Sequence, residues 1–255
     1  MISRMIDRLL ILAMLGPELA LWRRAGRRPV VWWRDDDARH TGPALTLLLG
    51  MSARYSAPLT VAAIPDGDLP ALAGACGVTP GVELAIHGFR HENRAPPGRP
   101  SGEVIDGDSL ADVLASLDTA LAAFARAGVR PSLFVPPWNN VHRTLETALA
   151  VRGVGLSGYD GMLAPEALPP RIDAHLDIMR WKPTARFRGA RRFLDRARRL
   201  LAERRRKRAW NEPIGLLTHH LDHDEAAWRF LALILPVLQP QARPLLSAEV
   251  ASQAA

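Results

Sequence analysis

Two short polar stretches of this sequence carry side chains that bind metal ions or transfer protons. The stretch Arg34–Asp37, Arg-Asp-Asp-Asp, directly follows the apolar run Val30–Trp33. The stretch His87–His91, His-Gly-Phe-Arg-His, directly follows the apolar run Val82–Ile86. Short runs of this kind predict buried strands. Carboxylates and imidazoles at the ends of such strands predict a metal-binding or catalytic site.

Other polar and aromatic clusters follow further predicted strands. They are Pro136–Asn140, Trp181, and His219 with His220. Taken singly, each cluster has an ordinary structural explanation, such as an exposed turn, a histidine pair on a helix surface or a hydrogen-bonded core histidine. Their shared position is more informative, because side chains at the carboxyl ends of parallel strands converge on the face of an α/β barrel where active sites lie.

The residue types limit the metal. Cys76 is the only cysteine, so an intramolecular disulfide and a Cys-rich zinc site are excluded. Three ligands of Asp and His type, with a position left open for water, favour Zn²⁺, with Co²⁺, Mn²⁺ or Ni²⁺ as alternatives. The open position indicates catalysis rather than a structural role.

Short apolar runs alternate with longer helical patterns from Val30 onward. The predicted strands are Val30–Trp33, Leu59–Ile64, Val82–Ile86, Ser132–Val135, Val154–Ser157, Leu176–Arg180 and Ile214–Thr218. The predicted helices are Pro43–Tyr55, Ser109–Ala127, Arg143–Val151, Gly189–Arg208 and Glu225–Val237. This alternation predicts an α/β fold with parallel strands and crossover helices.

The length of 255 residues fits one barrel-sized domain. We place that domain at residues 30–240, with an extension at 1–29 and a tail at 241–255.

The formal charge of +7 resides in one segment. Between Arg186 and Arg208, eleven arginines and one lysine stand against two acidic residues, a local net charge of +10. Apolar residues recur there at helical spacing, at Phe193, Ala197 and Leu200–Leu201, which predicts an amphipathic helix with a cationic outer surface. That surface is either simply solvated or contacts an anionic polymer, a lipid surface or nucleic acid.

The N-terminal segment contains the apolar run Leu9–Leu15, which Gly16–Glu18 interrupts. The run is too short to span a bilayer. An amphipathic helix that packs on the body or touches a membrane surface is favoured over a signal peptide. We expect a cytoplasmic location.

The motif set resembles that of the polysaccharide deacetylases, carbohydrate esterase family 4. The matching positions are Asp36–Asp37, His87–His91, Pro136–Asn139, Asp177 with Trp181, and Leu217–His219. The resemblance covers about residues 30–235 and implies a distorted (β/α)7 barrel. It also implies metal-dependent removal of acyl groups from an amidated or esterified sugar.

The resemblance assigns a role to each matching residue. Asp36 would be the general base and His219 the general acid. Asp37, His87 and His91 would be the metal ligands. Substrate or the reaction's oxyanion would contact Pro137, Trp138, Asn139 and Trp181, with a backbone N–H near Trp138 as oxyanion donor. The candidate supporting residues are Arg34, Asp35, Asp177 and His220.

Three departures from the family pattern leave alternatives open. Asp35 stands where the family has an aromatic residue, so the base and ligand could instead be Asp35 and Asp36. Val135 stands where the family has an arginine that orients the base, and Arg34 is the candidate replacement. His220 and His223 lie near the expected acid and compete with His219 for that role, with Asp177 as the carboxylate that would fix the imidazole tautomer.

Two other classes of function remain open. One is a catalytically silent module that binds a glycan or another anion, which Val135 and the basic helix suggest. The other is a nucleic-acid-binding protein, for which the sequence offers basic charge but no recognised binding motif. The tryptophans 32, 33, 138 and 181 could stack on sugar rings or belong to the core.

Overall fold

The structure is a computed structural model that describes residues 2–161, 169–238 and 243–244. The helices are α1 (Ile2–Arg24), α2 (Pro43–Tyr55), α3 (Leu69–Gly77), α4 (Leu110–Arg126), α5 (Arg143–Arg152), α6 (Ala190–Arg206) and α7 (Glu225–Leu238). The strands are β1 (Val30–Ala38), β2 (Leu59–Ala63), β3 (Val82–His87), β4 (Leu133–Val135), β5 (Gly155–Leu156), β6 (Ala174–Asp177), β7 (Met179–Arg180), β8 (Arg186–Phe187), β9 (Ile214–Thr218) and β10 (Arg243–Pro244). Apart from β10, the predicted tail at 241–255 lies outside the described residues.

Seven parallel strands form a curled sheet in the order β5-β4-β3-β2-β1-β9-β6. The short strand β10 pairs with the start of β1. The two edges of the sheet meet through isolated parallel bridges, Leu156 with Arg171 and Tyr159 with Ala174. The sheet therefore closes with incomplete pairing, and the predicted distorted (β/α)7 barrel is confirmed.

Side-chain alternation divides the apolar residues into two layers. A small cluster fills the barrel interior and includes Val30, Trp32, Ala85 and Val135. The larger cluster lies between the strands and the surrounding helices. Trp32 fills the interior so closely that a Cβ at Gly215, on the neighbouring strand, would lie 2.5 Å from its indole nitrogen. A side chain at position 215 would therefore push the sheet apart at this level.

Strand β1 is longer than predicted. It continues from Trp33 to Ala38, so the charged stretch belongs to the strand instead of following it. Arg34 and Asp35 are fully buried. The prediction failed because a run of charges is ordinarily exposed, whereas here each charge is paired within the fold.

Two further elements differ from the sequence prediction. The strand predicted at Leu176–Arg180 is two strands, since β6 ends at Asp177 and β7 forms an antiparallel hairpin with β8. Trp181 therefore lies in a hairpin loop and not at the end of a barrel strand.

Helix α3 was not predicted, because Pro70 and two glycines hide its helical pattern. Pro70 is tolerated in the first turn, where its missing N–H has no helical partner anyway.

The N-terminal segment forms one continuous helix, α1, with Pro17 inside it. Gly16–Glu18 interrupts the apolar run but not the helix, and the segment is the expected helix packed on the body. Buried side chains of α1, among them Ile11, Leu15 and Trp22, join the large apolar cluster, and their packing offsets the backbone hydrogen bond that proline cannot make. Within the described residues, no helix has the length and apolar character that crossing a bilayer requires.

Helix α6 has the predicted amphipathic form. Phe193, Ala197, Leu200 and Leu201 are buried, and most of its arginines are exposed. Arg196 and Arg205 are half-buried, and Arg204 is buried and pairs with Glu212 at 3.0 Å. The exposed arginines confirm the cationic outer surface.

Candidate metal and active site

A cavity of about 330 Å³ opens at the carboxyl ends of the barrel strands. It is lined by Asp36, Asp37, His87, His91, Trp138, Asn139, Asp177, Trp181 and His219. Every one of these lining residues was singled out from the sequence. The structure thus brings together side chains from five separate segments of the chain.

Asp37, His87 and His91 form the only cluster of metal-ligand type found among the described residues. Asp37 Oδ1 lies 2.9 Å from His87 Nε2 and 3.1 Å from His91 Nε2. The three ligand atoms all lie within 4.8 Å of one another. A transition metal needs this spacing and this mixture of imidazole and carboxylate.

The hydrogen bonding of His87 fits a metal ion. Its Nδ1 lies 3.0 Å from the Val135 carbonyl oxygen, which can only accept, so Nδ1 carries a proton. In the neutral ring, the lone pair of Nε2 then faces the Asp37 carboxylate, and two acceptors in contact require a proton or a cation between them. A carbonyl that holds the outer nitrogen of a histidine is the usual support of a metal ligand.

The charges of the cluster favour a proton or a metal ion between its members. Burial raises the pKa of Asp37, but hydrogen bonds from His87 and His91 outweigh it and hold that pKa well below its ordinary value. Burial lowers the pKa of His87, but the hydrogen bond to Asp37 and the charge of Asp36 outweigh it and raise that pKa. A proton or a metal ion would satisfy the same demand, so the two compete for this site.

The conformation of Asp37 explains how neighbouring aspartates reach one cavity. Strict alternation directs Val30, Trp32, Arg34 and Asp36 into the barrel and would direct Asp37 outward. Asp37 instead has a φ of 72°, and the pairing of β1 with β2 shifts register between Asp35 and Ala38. This irregularity brings the Asp37 carboxylate to the cavity beside Asp36.

Arg34 fixes the Asp36 carboxylate from inside the barrel. Its Nη2 donates to Asp36 Oδ2 at 3.0 Å, and its Nε lies 2.9 Å from Asp36 Oδ1. The remaining guanidinium hydrogens go to Asn139 Oδ1 at 2.7 Å and to Ser157 and Gly158. Val135 belongs to the apolar interior cluster and contributes no charge. The arginine that contacts Asp36 is therefore Arg34, on the same strand as Asp36, and position 135 makes no such contact.

Asp35 and His220 lie outside the cavity and bind each other. Asp35 points to the outer layer, where Oδ1 contacts His220 Nδ1 at 2.5 Å and Oδ2 accepts from Thr218 Oγ1 at 2.6 Å. Oδ2 also accepts the His220 backbone N–H at 3.1 Å. The alternation along β1 and β9 therefore separates Asp35 and His220 from Asp36 and His219.

His219 lies between two carboxylates in the cavity. Its Nε2 is 3.9 Å from Asp36 Oδ2, and its Nδ1 is 3.9 Å from Asp177 Oδ1. Both distances are too long for hydrogen bonds, so Asp177 does not fix the imidazole tautomer in the way the sequence suggested. Asp177 instead accepts from the Met179 N–H and from Trp181 Nε1, and burial raises its pKa. Trp181 packs edge-on against His219.

His223 does not reach the cavity. Its Nε2 accepts the His219 backbone N–H at 3.3 Å, and its ring packs against Trp228. Burial lowers the pKa of His223 to about 4, which keeps the ring neutral. His223 therefore supports the backbone of His219 and does not face the reacting groups.

The segment after β4 carries Trp138 and Asn139 with left-handed backbone angles, φ 54° and 53°. The Trp138 ring is exposed and lies 4.7 Å from the His91 ring, centroid to centroid. Asn139 accepts from Arg34, as described above. Pro137 is buried under this turn and does not line the cavity.

Sequence reasoning missed Glu103, which holds the loop between His87 and His91. Its buried carboxylate accepts the backbone N–H groups of Phe89 and Arg90, both at 2.7 Å, and of Glu92 at 3.1 Å. A Cβ at Gly88 would lie 2.2 Å from Glu103 Oε2. Glu103 lies in a Pro- and Gly-rich loop, and an acid in such a loop is ordinarily solvated. Nothing in the sequence therefore indicated this contact.

We expect Glu103→Gln to weaken metal binding by about ten- to a hundredfold, the usual range for groups that support ligands. The amide nitrogen cannot accept, so at least one backbone N–H of the His91 loop loses its partner. Competition with a chelator measures the affinity. Glu92→Gln, an exposed glutamate of the same loop, is the matched control. Equal affinities for the wild type and Glu103→Gln would contradict this role.

Known structures with the same architecture are family 4 carbohydrate esterases and related proteins. An esterase of this family from Streptomyces lividans matches with a TM-score of 0.57 and 16% identity, over 87% of this chain and 94% of that one. A family 4 acetyl xylan esterase from Clostridium thermocellum, in complex with a cobalt ion, matches with a TM-score of 0.54 and 15% identity, over 88% and 90%. A family 4 pseudoenzyme from Bacillus anthracis matches with a TM-score of 0.52 and 12% identity, over 89% of this chain and 66% of that one.

No protein-family profile and no curated protein sequence matches this chain. The similarity is one of backbone architecture at low identity, and it includes both esterases and a pseudoenzyme. The chain therefore has the fold of the family 4 carbohydrate esterases, the polysaccharide deacetylase fold.

Proposed function

We propose that this protein is a metal-dependent hydrolase that removes acyl groups, acetyl above all, from an amino sugar or polysaccharide. The observation that carries the proposal is the arrangement around Asp36. This carboxylate is held by Arg34 and shares one cavity with the Asp37, His87 and His91 cluster and with His219. A base, a metal-ligand set and an acid in one cavity are the parts that acyl hydrolysis requires.

Asp37, His87 and His91 would hold the metal, with Zn²⁺ preferred and Co²⁺, Mn²⁺ or Ni²⁺ as alternatives. When bound, a divalent ion supplies a Lewis acid that polarises the acyl carbonyl and acidifies water. Asp36 accepts the proton of the attacking water, and Arg34 keeps its carboxylate oriented. His219 donates a proton to the leaving nitrogen or oxygen. A backbone N–H near Trp138 donates to the oxyanion.

The exposed rings of Trp138 and Trp181 suggest how a sugar would bind. Trp138 contacts His91, and Trp181 contacts His219, so the two indoles lie beside the metal cluster and beside the acid. Aromatic faces pack well on the apolar faces of sugar rings. Trp32 and Trp33, by contrast, are buried, so they are core residues and not platforms.

The test combines metal analysis with an acetate-release screen over acetylated sugars and oligomers. We expect stoichiometric metal after dialysis and release of acetate from at least one acetylated sugar. His91→Ala should lose the metal and the activity together, because a three-ligand site rarely survives loss of one ligand. Full metal content in His91→Ala would contradict the ligand assignment.

We expect His219→Ala to lower kcat by about a hundred- to ten-thousand-fold, the range of general acid catalysis, with metal content unchanged. The limb of the pH-rate profile that reports an acid should disappear as well. His220→Ala is the comparison, since His220 binds Asp35 outside the cavity. Wild-type activity in His219→Ala, together with an inactive but folded His220→Ala, would reverse the assignment.

The same screen decides the alternative of a catalytically silent binding module. That alternative was suggested by Val135, but Arg34 contacts the Asp36 carboxylate in place of the missing arginine. Stoichiometric metal without turnover on any acetylated carbohydrate would favour the silent module. Absence of both metal and turnover would leave the cationic surface of α6, and binding of nucleic acid, as the remaining explanation.

A further inference from the structure

The outer face of α1 is apolar and exposed. Leu9, Leu12 and Leu21 are 60%, 47% and 38% exposed. Between Leu9 and Trp22 the only charged residue is Glu18, which is buried on the inner face and binds Arg205 at 2.5 Å. Successive residues are about 100° apart around a helix, so Leu12 and Leu21 lie at opposite edges of this outer face and Leu9 lies between them. Every exposed residue from Leu9 to Leu21 is apolar, and an exposed apolar surface of this kind indicates an interaction site.

Cations surround this face. Arg8 precedes it, and Arg24, Arg27 and Arg28 follow it, all of them exposed. Helix α6 packs beside α1, with Trp22 Nε1 donating to the Leu201 carbonyl at 3.1 Å. The α6 segment contributes further exposed cations, which are Arg191, Arg192, Arg198, Arg199, Arg206, Lys207 and Arg208. The apolar face thus has arginines at both of its ends and a cationic helix beside it.

We propose that α1 and the adjoining cations of α6 bind the surface of an anionic phospholipid bilayer, with the α1 leucines inserted at the boundary of headgroups and acyl chains. A helix with an apolar face and flanking arginines is the usual form of such a contact. An anionic polymer would pair with the arginines but would leave the leucines in water. A second copy of the chain would cover the leucines but would bring two cationic surfaces together.

Co-sedimentation of the full chain with phosphatidylcholine vesicles, with and without phosphatidylglycerol, tests the proposal. We expect binding to the vesicles that contain phosphatidylglycerol and release by high salt. The triple variant Leu9→Ser, Leu12→Ser, Leu21→Ser should bind on the order of a hundredfold more weakly, because half-exposed leucines lose their burial in lipid. Arg24→Gln with Arg206→Gln should cost about twenty-five-fold, at about fivefold for each arginine.

Matched controls come from exposed residues elsewhere on the protein. Val78→Ser removes an exposed apolar side chain at the end of α3, and Arg126→Gln with Arg130→Gln removes two exposed arginines near the end of α4. Both controls should bind as the wild type does, and thermal melts establish that every variant is folded. A wild type that stays in the supernatant at low salt would overturn the proposal. So would unchanged binding by the leucine variant, or a dimer that this variant dissociates without any vesicle binding.

Discussion

Replacing Asp36 by asparagine is expected to lower kcat on an acetylated sugar by about a hundred- to ten-thousand-fold, while the metal content stays that of the wild type. The amide cannot accept a proton from water, and Asp36 is not one of the three clustered ligands. Arg34 loses its counter-charge but keeps acceptors on Asn139, Ser157 and Gly158, so the fold should survive. Initial rates and metal analysis of the same preparation provide the measurement.

The alternative register makes the opposite forecast. If Asp36→Asn lost its metal while Asp35→Asn remained loaded and inactive, Asp35 would be the base and Asp36 the ligand. The geometry argues against that outcome, because Asp35 is fully buried and faces the outer layer. Asp66→Asn, an exposed acid on the loop after β2, serves as the control for loss of an aspartate.

Asp35→Asn should act on stability instead of chemistry. We expect the free energy of unfolding to fall by about 3–5 kcal/mol, the usual cost of breaking a buried ion pair. The variant would leave His220 without its carboxylate and would offer an amide where Thr218 and the His220 N–H now donate. Denaturant unfolding measures the change. Unaltered stability in Asp35→Asn would contradict this structural role.

The pH dependence of that loss provides a second measurement. Burial raises the pKa of Asp35, but the charge and hydrogen bond of His220, with further contributions from His223 and Thr218, together outweigh burial and hold the pKa below its ordinary value of 3.8. Burial lowers the pKa of His220, but the charge and hydrogen bond of Asp35, with the charges of Asp37 and Asp222, together outweigh burial and raise the pKa above 6.5. The pair of Asp35 and His220 should therefore contribute its full stabilisation between pH 3.8 and pH 6.5. That stabilisation should decline above this range, as His220 loses its proton, and below it, as Asp35 gains one. Asp118→Asn, in an exposed pair with Arg152, should show no resolvable change.

The parallel strands and most of the cavity-lining residues could be predicted because both depend on local patterns, whereas the distorted (β/α)7 barrel and Asp177 were implied by the family resemblance. Apolar runs gave the central strands, and polar residues at their carboxyl ends gave the cavity. Pairings between distant segments were harder to predict. The guanidinium of Arg34 binds Asp36 inside the barrel and Asp35 binds His220 outside it, and no local pattern distinguishes such buried pairs from an exposed turn.

The same reason explains the remaining differences. Helix α1 passes through Pro17 because tertiary packing of its inner face outweighs a local breaker. Glu103 lies in a loop without periodicity, so its three backbone contacts could not be inferred. Asp37 reaches the cavity through a left-handed φ, whereas a regular strand would direct it away.

That left-handed conformation is concentrated at the cavity. Among the described residues, seven other than glycine have a positive φ, and four of them, Asp37, His91, Trp138 and Asn139, line the cavity. Each such residue costs of order 1–3 kcal/mol unless its surroundings impose the conformation. Glycine at these positions would relieve the strain and remove a ligand or a binding group in the same step. Selection for thermal stability alone would therefore favour glycine at positions that the proposed chemistry needs, so the proposed activity and the stability of the fold place opposing demands on the same four residues.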